Sequence, residues 1–174
     1  MKWREYSFDK WACYGLLLIG LFILQSTVAD LLTIGRVQPN FLLCAFVGIA
    51  MREGEIAGGL FGLFWGFLVD TLYAHVSGFY LVLGLLFGGL IGRVTKVYLN
   101  ITVVNAMIVG TITSLAYNIL IFYTHYYTAG VTSSVTAFAH VILPDALYVA
   151  VMMGPFYYLT GLCKRLTTAE EREE

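Results

Sequence analysis

Charged residues are scarce in this sequence. Only 12% of its 174 residues are Asp, Glu, Lys or Arg, whereas 59% are hydrophobic, and the mean hydropathy is +0.80. A soluble domain of this length could not cover so much apolar surface. The formal net charge of -1, without a basic patch, argues against a nucleic-acid partner. The composition therefore indicates an all-α integral membrane protein, with residues 1–174 forming a single transmembrane domain.

Cysteine is also rare, and the common catalytic signatures are missing. Cys13, Cys44 and Cys163 lie far apart in or beside apolar runs, without the spacing of a zinc site or a redox motif. The sequence contains no G-x-S-x-G, no H-E-x-x-H and no nucleotide-binding loop. We therefore expect no catalytic residue, no cofactor and no metal. An intramembrane enzyme that uses dispersed carboxylates is the least supported alternative.

Long apolar runs dominate what is present, and a membrane-spanning helix needs about 20 such residues. Hydropathy predicts six transmembrane helices, at about 11–29, 37–51, 56–74, 76–92, 99–123 and 137–163. If the N-terminus is cytoplasmic, every Lys and Arg except Arg36 falls on the inside, as the positive-inside rule requires. Both termini are thus predicted to be cytoplasmic, with 164–174 as a short charged tail.

Glycines recur at every fourth position in the third and fourth predicted spans. Apolar side chains gain nothing by leaving lipid for another helix. Membrane helices therefore associate where small residues let their backbones approach closely. Two arrangements fit this pattern: the two spans pack on each other, or an exposed groove receives the helix of another protein. The glycines of the two rows are Gly58, Gly62, Gly66, Gly84, Gly88 and Gly92.

Polar side chains are predicted to form a polar layer in the outward half of the bundle. A carboxylate at mid-membrane costs roughly 2.5 to 3.5 kcal/mol on insertion scales, so its position needs a reason. Three interpretations stay open: a hydrogen-bonded network that orders the helices, a pocket for a lipid, small molecule or partner, and a metal or proton-transfer site. The polar layer comprises Asp30, Asp70, Thr111, Ser114, Asn118, His125, His140 and Asp145.

Two neighbouring runs carry a resemblance to a known family. VQPNFLLCAFVGIAMREGEIAGGLFGLFWGFLVD, followed by SGFYLVLGLLFGGLIGR, resembles the core of the rod shape-determining MreD family of bacteria. Pro39, the first glycine row, Asp70 and Gly78 fall on the family's pattern in the same order. Gln38 and Asn40 depart from it, since they stand where the family has Arg and Asp. An ion-pair role for that corner is therefore not carried over.

The resemblance covers residues 37 to about 93 and implies a function. It implies a non-enzymatic subunit of the cell-elongation machinery in the cytoplasmic (inner) membrane, in contact with lipids and supporting peptidoglycan synthesis. The implied partner is MreC, whose membrane helix would sit in the glycine rows. Through MreC the protein would reach MreB and RodA with its class B penicillin-binding protein.

The fold implied by the resemblance is similar to the S subunits of energy-coupling-factor transporters, six helices around an outward-facing cavity. A true S subunit, which captures a small molecule for an ATP-driven transporter, is the alternative function. Such subunits often dock through an Ala-x-x-x-Ala step on the first helix. Here Ala12, Gly15 and Gly20 do not form that step, which disfavours the alternative.

Overall fold

The computed structural model describes residues 3–28, 40–73, 78–129 and 135–169 and is helical throughout these ranges apart from short turns. Each of the six predicted spans overlaps one of the six helices. Their bounds are α1 Trp3–Val28, α2 Phe41–Glu53, α3 Glu55–Tyr73, α4 Phe79–Tyr98, α5 Val103–Ala129 and α6 Val135–Ala169. The prediction of an all-α chain is confirmed for the described residues.

Five of the described helices are long and apolar enough to cross a membrane. These are α1, α3, α4, α5 and α6, so the chain has the character of a multi-pass membrane protein. The remaining helix, α2, has 13 residues and is about 20 Å long at 1.5 Å per residue. It is therefore shorter than the roughly 30 Å hydrocarbon layer. Six full-length spans were predicted, and five of the described helices are long enough to be such spans.

Helix α2 is the hub of the bundle. All residues from Phe41 to Met51 are buried, and α2 contacts every other helix. The remaining five helices contact one another in the ring order α1, α3, α4, α5, α6 and back to α1. A helix that is apolar on all sides is stable only when it is surrounded. The sequence FLLCAFVGIAM meets that condition because its first charged residue is Arg52.

Both ends of α2 are tied to α1, which fixes their relative direction. At its start, the Leu42 amide donates to Gln25 Oε1 at 3.0 Å, and the Leu43 amide donates to Asn40 Oδ1 at 3.1 Å. These bonds satisfy two of the free N–H groups of the first turn. At its end, Glu53 Oε1 accepts from the Tyr14 hydroxyl at 3.1 Å. Helix α2 therefore runs antiparallel to α1.

Contacts around the ring are uneven. Helices α3 and α4 form the most extensive interface, followed by α5 and α6. Adjacent α4 and α5 touch only slightly, as do α1 and α3. The bundle thus consists of two tightly packed helix pairs held together mainly through α2.

Positive charge collects at one end of the bundle. Lys10 begins the apolar part of α1, Arg52 lies at the end of α2, and Lys164 lies near the end of α6. Arg93 and Lys96 are in the last turns of α4. These are all the Lys and Arg residues whose side chains the structure describes. The opposite end of the described bundle carries none.

Candidate functional site

The two glycine rows face each other across the interface between α3 and α4. A Cβ added to Gly58 would lie 2.5 Å from the Gly88 carbonyl oxygen, and one added to Gly88 would lie 2.7 Å from the Gly58 carbonyl carbon. Gly62 and Gly84 oppose each other in the same way, with 2.8 Å from a Gly84 Cβ to the Gly62 carbonyl carbon. Real Cβ atoms do not approach backbone so closely. Any larger residue would push the helices apart.

The outer members of both rows also pack inside the chain. A Cβ on Gly66 would lie 2.5 Å from Leu81 Cα, and one on Gly92 would lie 2.7 Å from the Glu55 amide nitrogen. All six glycines are thus covered by the chain's own backbone. Contact between the two spans, one of the two predicted arrangements, accounts for this packing. The expectation that the membrane helix of MreC sits in these rows stays a prediction, and in this packing that helix would have to contact the outer faces of α3 and α4.

Asp70 caps the start of α4 from the end of α3. Its Oδ2 accepts from the Gly78 amide at 3.1 Å, and its Oδ1 accepts from the Tyr80 amide at 3.3 Å. Gly78 occupies the N-cap position with φ of 86° and has no side chain to offer the helix. A carboxylate there satisfies free N–H groups and faces the positive end of the helix dipole. The Asp70 charge therefore has a structural use.

Asp145 is the acceptor of a half-buried polar cluster between α5 and α6. Its Oδ2 accepts from the Ser114 hydroxyl at 2.6 Å and from Asn118 Nδ2 at 2.5 Å. Asn118 Nδ2 also lies 3.2 Å from Ser114 Oγ. Thr111 stands apart, since its hydroxyl donates to the Met107 carbonyl of its own helix at 2.7 Å. Ser114, Asn118 and Asp145 thus form a three-residue cluster that joins two helices.

The structure brings together only part of the predicted polar layer. Asp70 bonds to α4, whereas Asp145 bonds to α5, so the two acids belong to separate sites. Within the described ranges, no group of three His, Cys, Asp or Glu residues is arranged to hold a metal. The remaining predictions fall on residues or side chains outside the described part of the structure, namely Asp30, Pro39, His125 and His140.

A second polar network lies at the cationic end and was not predicted as a site. Glu53 forms an ion pair with Lys10, accepts from Tyr14, and lies 4.0 Å from Lys164 Nζ. Its side chain is only 9% exposed. The sequence signal was the position of Arg52 and Glu53 directly after the fully apolar α2 run, which carries them into the bundle.

Arg52 extends this network to α6. Its Nη2 donates to the Tyr157 carbonyl oxygen at 2.8 Å, and its Nε donates to Thr160 Oγ1 at 3.3 Å. The guanidinium carbon lies 4.2 Å from the centre of the Tyr157 ring, a cation–π distance. Gly161 leaves the space that the guanidinium fills, because a Cβ there would lie 2.9 Å from Nη2.

No protein-family model matches this chain, and no curated protein or solved structure is significantly similar to it. Function is therefore argued from the contacts above. These contacts tie helices to one another: a glycine interface, a helix cap, a half-buried acid between two helices and a charged network at one end.

Proposed function

We propose that this protein is a non-enzymatic, multi-pass subunit of the bacterial cell-elongation machinery, of the MreD type, with MreC as its direct partner. The observation that carries the proposal is the order of the residues that match the family pattern, from the α2 region to Gly92. In the fold this series corresponds to one continuous unit, the buried hub followed by the α3–α4 hairpin. Asp70 and Gly78, two positions of the family pattern, are joined by a hydrogen bond at 3.1 Å.

The charge distribution supports a location in the cytoplasmic membrane with both termini inside. The positive-inside rule assigns the Lys- and Arg-rich end to the cytoplasm, and the described cations lie at one end. Since α2 runs antiparallel to α1 between the levels of Gln25 and Tyr14, it counts as a crossing in this proposal. Six crossings return the chain to the side on which it began.

The proposed role is mechanical, because the polar contacts serve the fold. The glycine interface, the Asp70 cap and the Asp145 cluster give the bundle one defined shape. MreC would dock on the lipid-facing surface of that bundle, since the six glycines are occupied within the chain. MreB and RodA with its class B penicillin-binding protein would then be reached through MreC.

Affinity purification tests this proposal. The tagged protein is extracted from its native membranes in mild detergent, and co-purifying proteins are identified by mass spectrometry against an equally tagged, unrelated membrane protein. We expect MreC and wall-synthesis proteins to be enriched. Recovery of a transmembrane coupling subunit with paired ATPases would overturn the proposal in favour of a transporter S subunit.

A further inference from the structure

A cleft of about 660 Å³ opens at the cationic end of the bundle. It lies between the end of α2, the turn that precedes α5 and the last part of α6. Its lining residues include the cations Arg52 and Lys164, together with Tyr157. Neither the glycine rows nor the polar layer contributes to it.

The charge of the cleft is positive. Two of its lining residues are cations, and none of them is Asp or Glu. The nearest described acid, Glu53, lies 4.0 Å from Lys164 Nζ but is also paired with Lys10. Among the side chains that the structure describes at this end, two carboxylates, Glu53 and Glu55, stand against five Lys and Arg side chains, which leaves an excess of positive charge. The cleft therefore favours an anionic ligand.

Arg52 is already held in position to receive such a ligand. Its Nε and Nη2 each donate a hydrogen bond to α6, and the guanidinium packs over the ring of Tyr157. The guanidinium has five N–H donors, of which these bonds use two, and its Nη1–Nη2 edge presents a rigid fork that matches the oxygens of a phosphate. A side chain that is fixed beforehand loses less entropy when it binds.

The cleft is also lined by exposed side chains that are largely apolar. Tyr158, Leu162 and Ile101 are 69%, 53% and 44% exposed. The Tyr157 hydroxyl donates to the Ile101 carbonyl at 2.9 Å, which fastens the turn before α5 to α6. Aromatic residues are typical of the membrane–water boundary. A ligand in this cleft would thus meet both cations and lipid-like surface.

We propose that this cleft binds the headgroup phosphate of an anionic phospholipid, with the acyl chains lying along Tyr158 and Leu162. A soluble phosphate would use only the cations, whereas a phospholipid uses both the cations and the apolar surface. Anionic lipids are attracted to Lys and Arg side chains at the membrane surface. The proposal does not depend on MreC, so it stands or falls separately from the proposed function.

Lipid titration of the purified full-length protein in detergent, followed by native mass spectrometry, tests this site. We expect phosphatidylglycerol to bind more tightly than phosphatidylcholine with the same acyl chains. The K164Q variant should bind phosphatidylglycerol about fivefold more weakly, the loss of one surface cation. R93Q is the matched control, because Arg93 is a cation at the same end that pairs with Glu55 and does not line the cleft.

Three results would overturn the proposal. Equal affinity for the two phospholipids would show that the cleft does not select negative charge. An equal loss of phosphatidylglycerol affinity in K164Q and R93Q would show only a general attraction of the lipid to the charged end of the bundle. Displacement of the lipid by glycerol phosphate at a similar concentration would show that the site takes a soluble phosphate ester. A second variant, L162E, places a negative charge on an exposed wall residue and should abolish selectivity for phosphatidylglycerol.

Discussion

The Asp70 carboxylate caps a helix to which it does not belong. Replacing Asp70 with Ala removes both acceptors of the first α4 amides, and loss of a cap costs about 1 kcal/mol of stability. D70N keeps one oxygen acceptor and should lose less than D70A. Denaturant titration of both variants in detergent measures the difference. If D70A is as stable as the unmodified protein, the cap has no energetic role.

The Asp145 cluster couples two helices through one carboxylate oxygen. A double-mutant cycle with N118A and D145A should give a coupling energy of about 1 kcal/mol, the scale of hydrogen bonds between membrane helices. The matched control is a cycle with T111A and D145A, because Thr111 is on α5 like Asn118 but its hydroxyl donates within that helix. The stability losses of T111A and D145A should be additive. Additivity in both cycles would mean that Asn118 and Asp145 do not stabilise each other.

Individual residues were predictable where a helical period places them on one face. The spacing of Ser114 and Asn118 marked a polar stripe on the fifth span, and Asp145 was one of the acids assigned to the same layer. Asp70 was assigned to the same layer, but its partners are backbone amides eight and ten positions further along the chain. The contacts of Arg52 with α6 were not predictable, since they join residues more than 100 positions apart.

The α3–α4 hairpin depends on the absence of side chains at its centre. A Cβ at Gly62 would collide with the Gly84 carbonyl, whereas one at Gly89 would meet no heavy atom within 4 Å. We expect G62A to lose about 1 to 3 kcal/mol of stability through overpacking. G89A, the matched control on the partner helix, should be unchanged. Unfolding free energies measured by detergent titration compare them.

Equal stability of G62A and G89A would contradict the observed interface. The same two variants also test where MreC binds. If G62A remained as stable as G89A but lost binding to MreC, Gly62 would be an external docking position. We expect instead that G62A loses stability without a separate loss of MreC binding, because the glycine rows are filled within the chain.

At the level of elements, hydropathy located all six helices within a few residues at most ends. The predicted span 56–74 corresponds to Glu55–Tyr73, and 37–51 corresponds to Phe41–Glu53. The central position of α2 was not predicted. A short apolar run fits both a spanning helix and a buried helix, and only contacts with all its neighbours distinguish them. The pairing of the glycine rows was one of two alternatives that spacing alone left open.

The proposed orientation of the whole molecule rests on its one-sided charge. We expect an alkaline phosphatase fusion after Glu174 to be inactive and a green fluorescent protein fusion there to fluoresce, because the proposed orientation has both termini in the cytoplasm. Fusions to the chain truncated after Gly130 should show the opposite pattern. An active phosphatase at Glu174 would reverse the orientation and remove one support of the proposed function.

Direct binding to MreC tests the central claim. The purified protein is reconstituted in lipid nanodiscs with fluorescent MreC that retains its membrane helix, and association is followed by energy transfer. We expect saturable binding that an unrelated single-span protein does not reproduce. Energy transfer no greater than that of the unrelated protein would contradict the account and leave the bundle without its proposed partner.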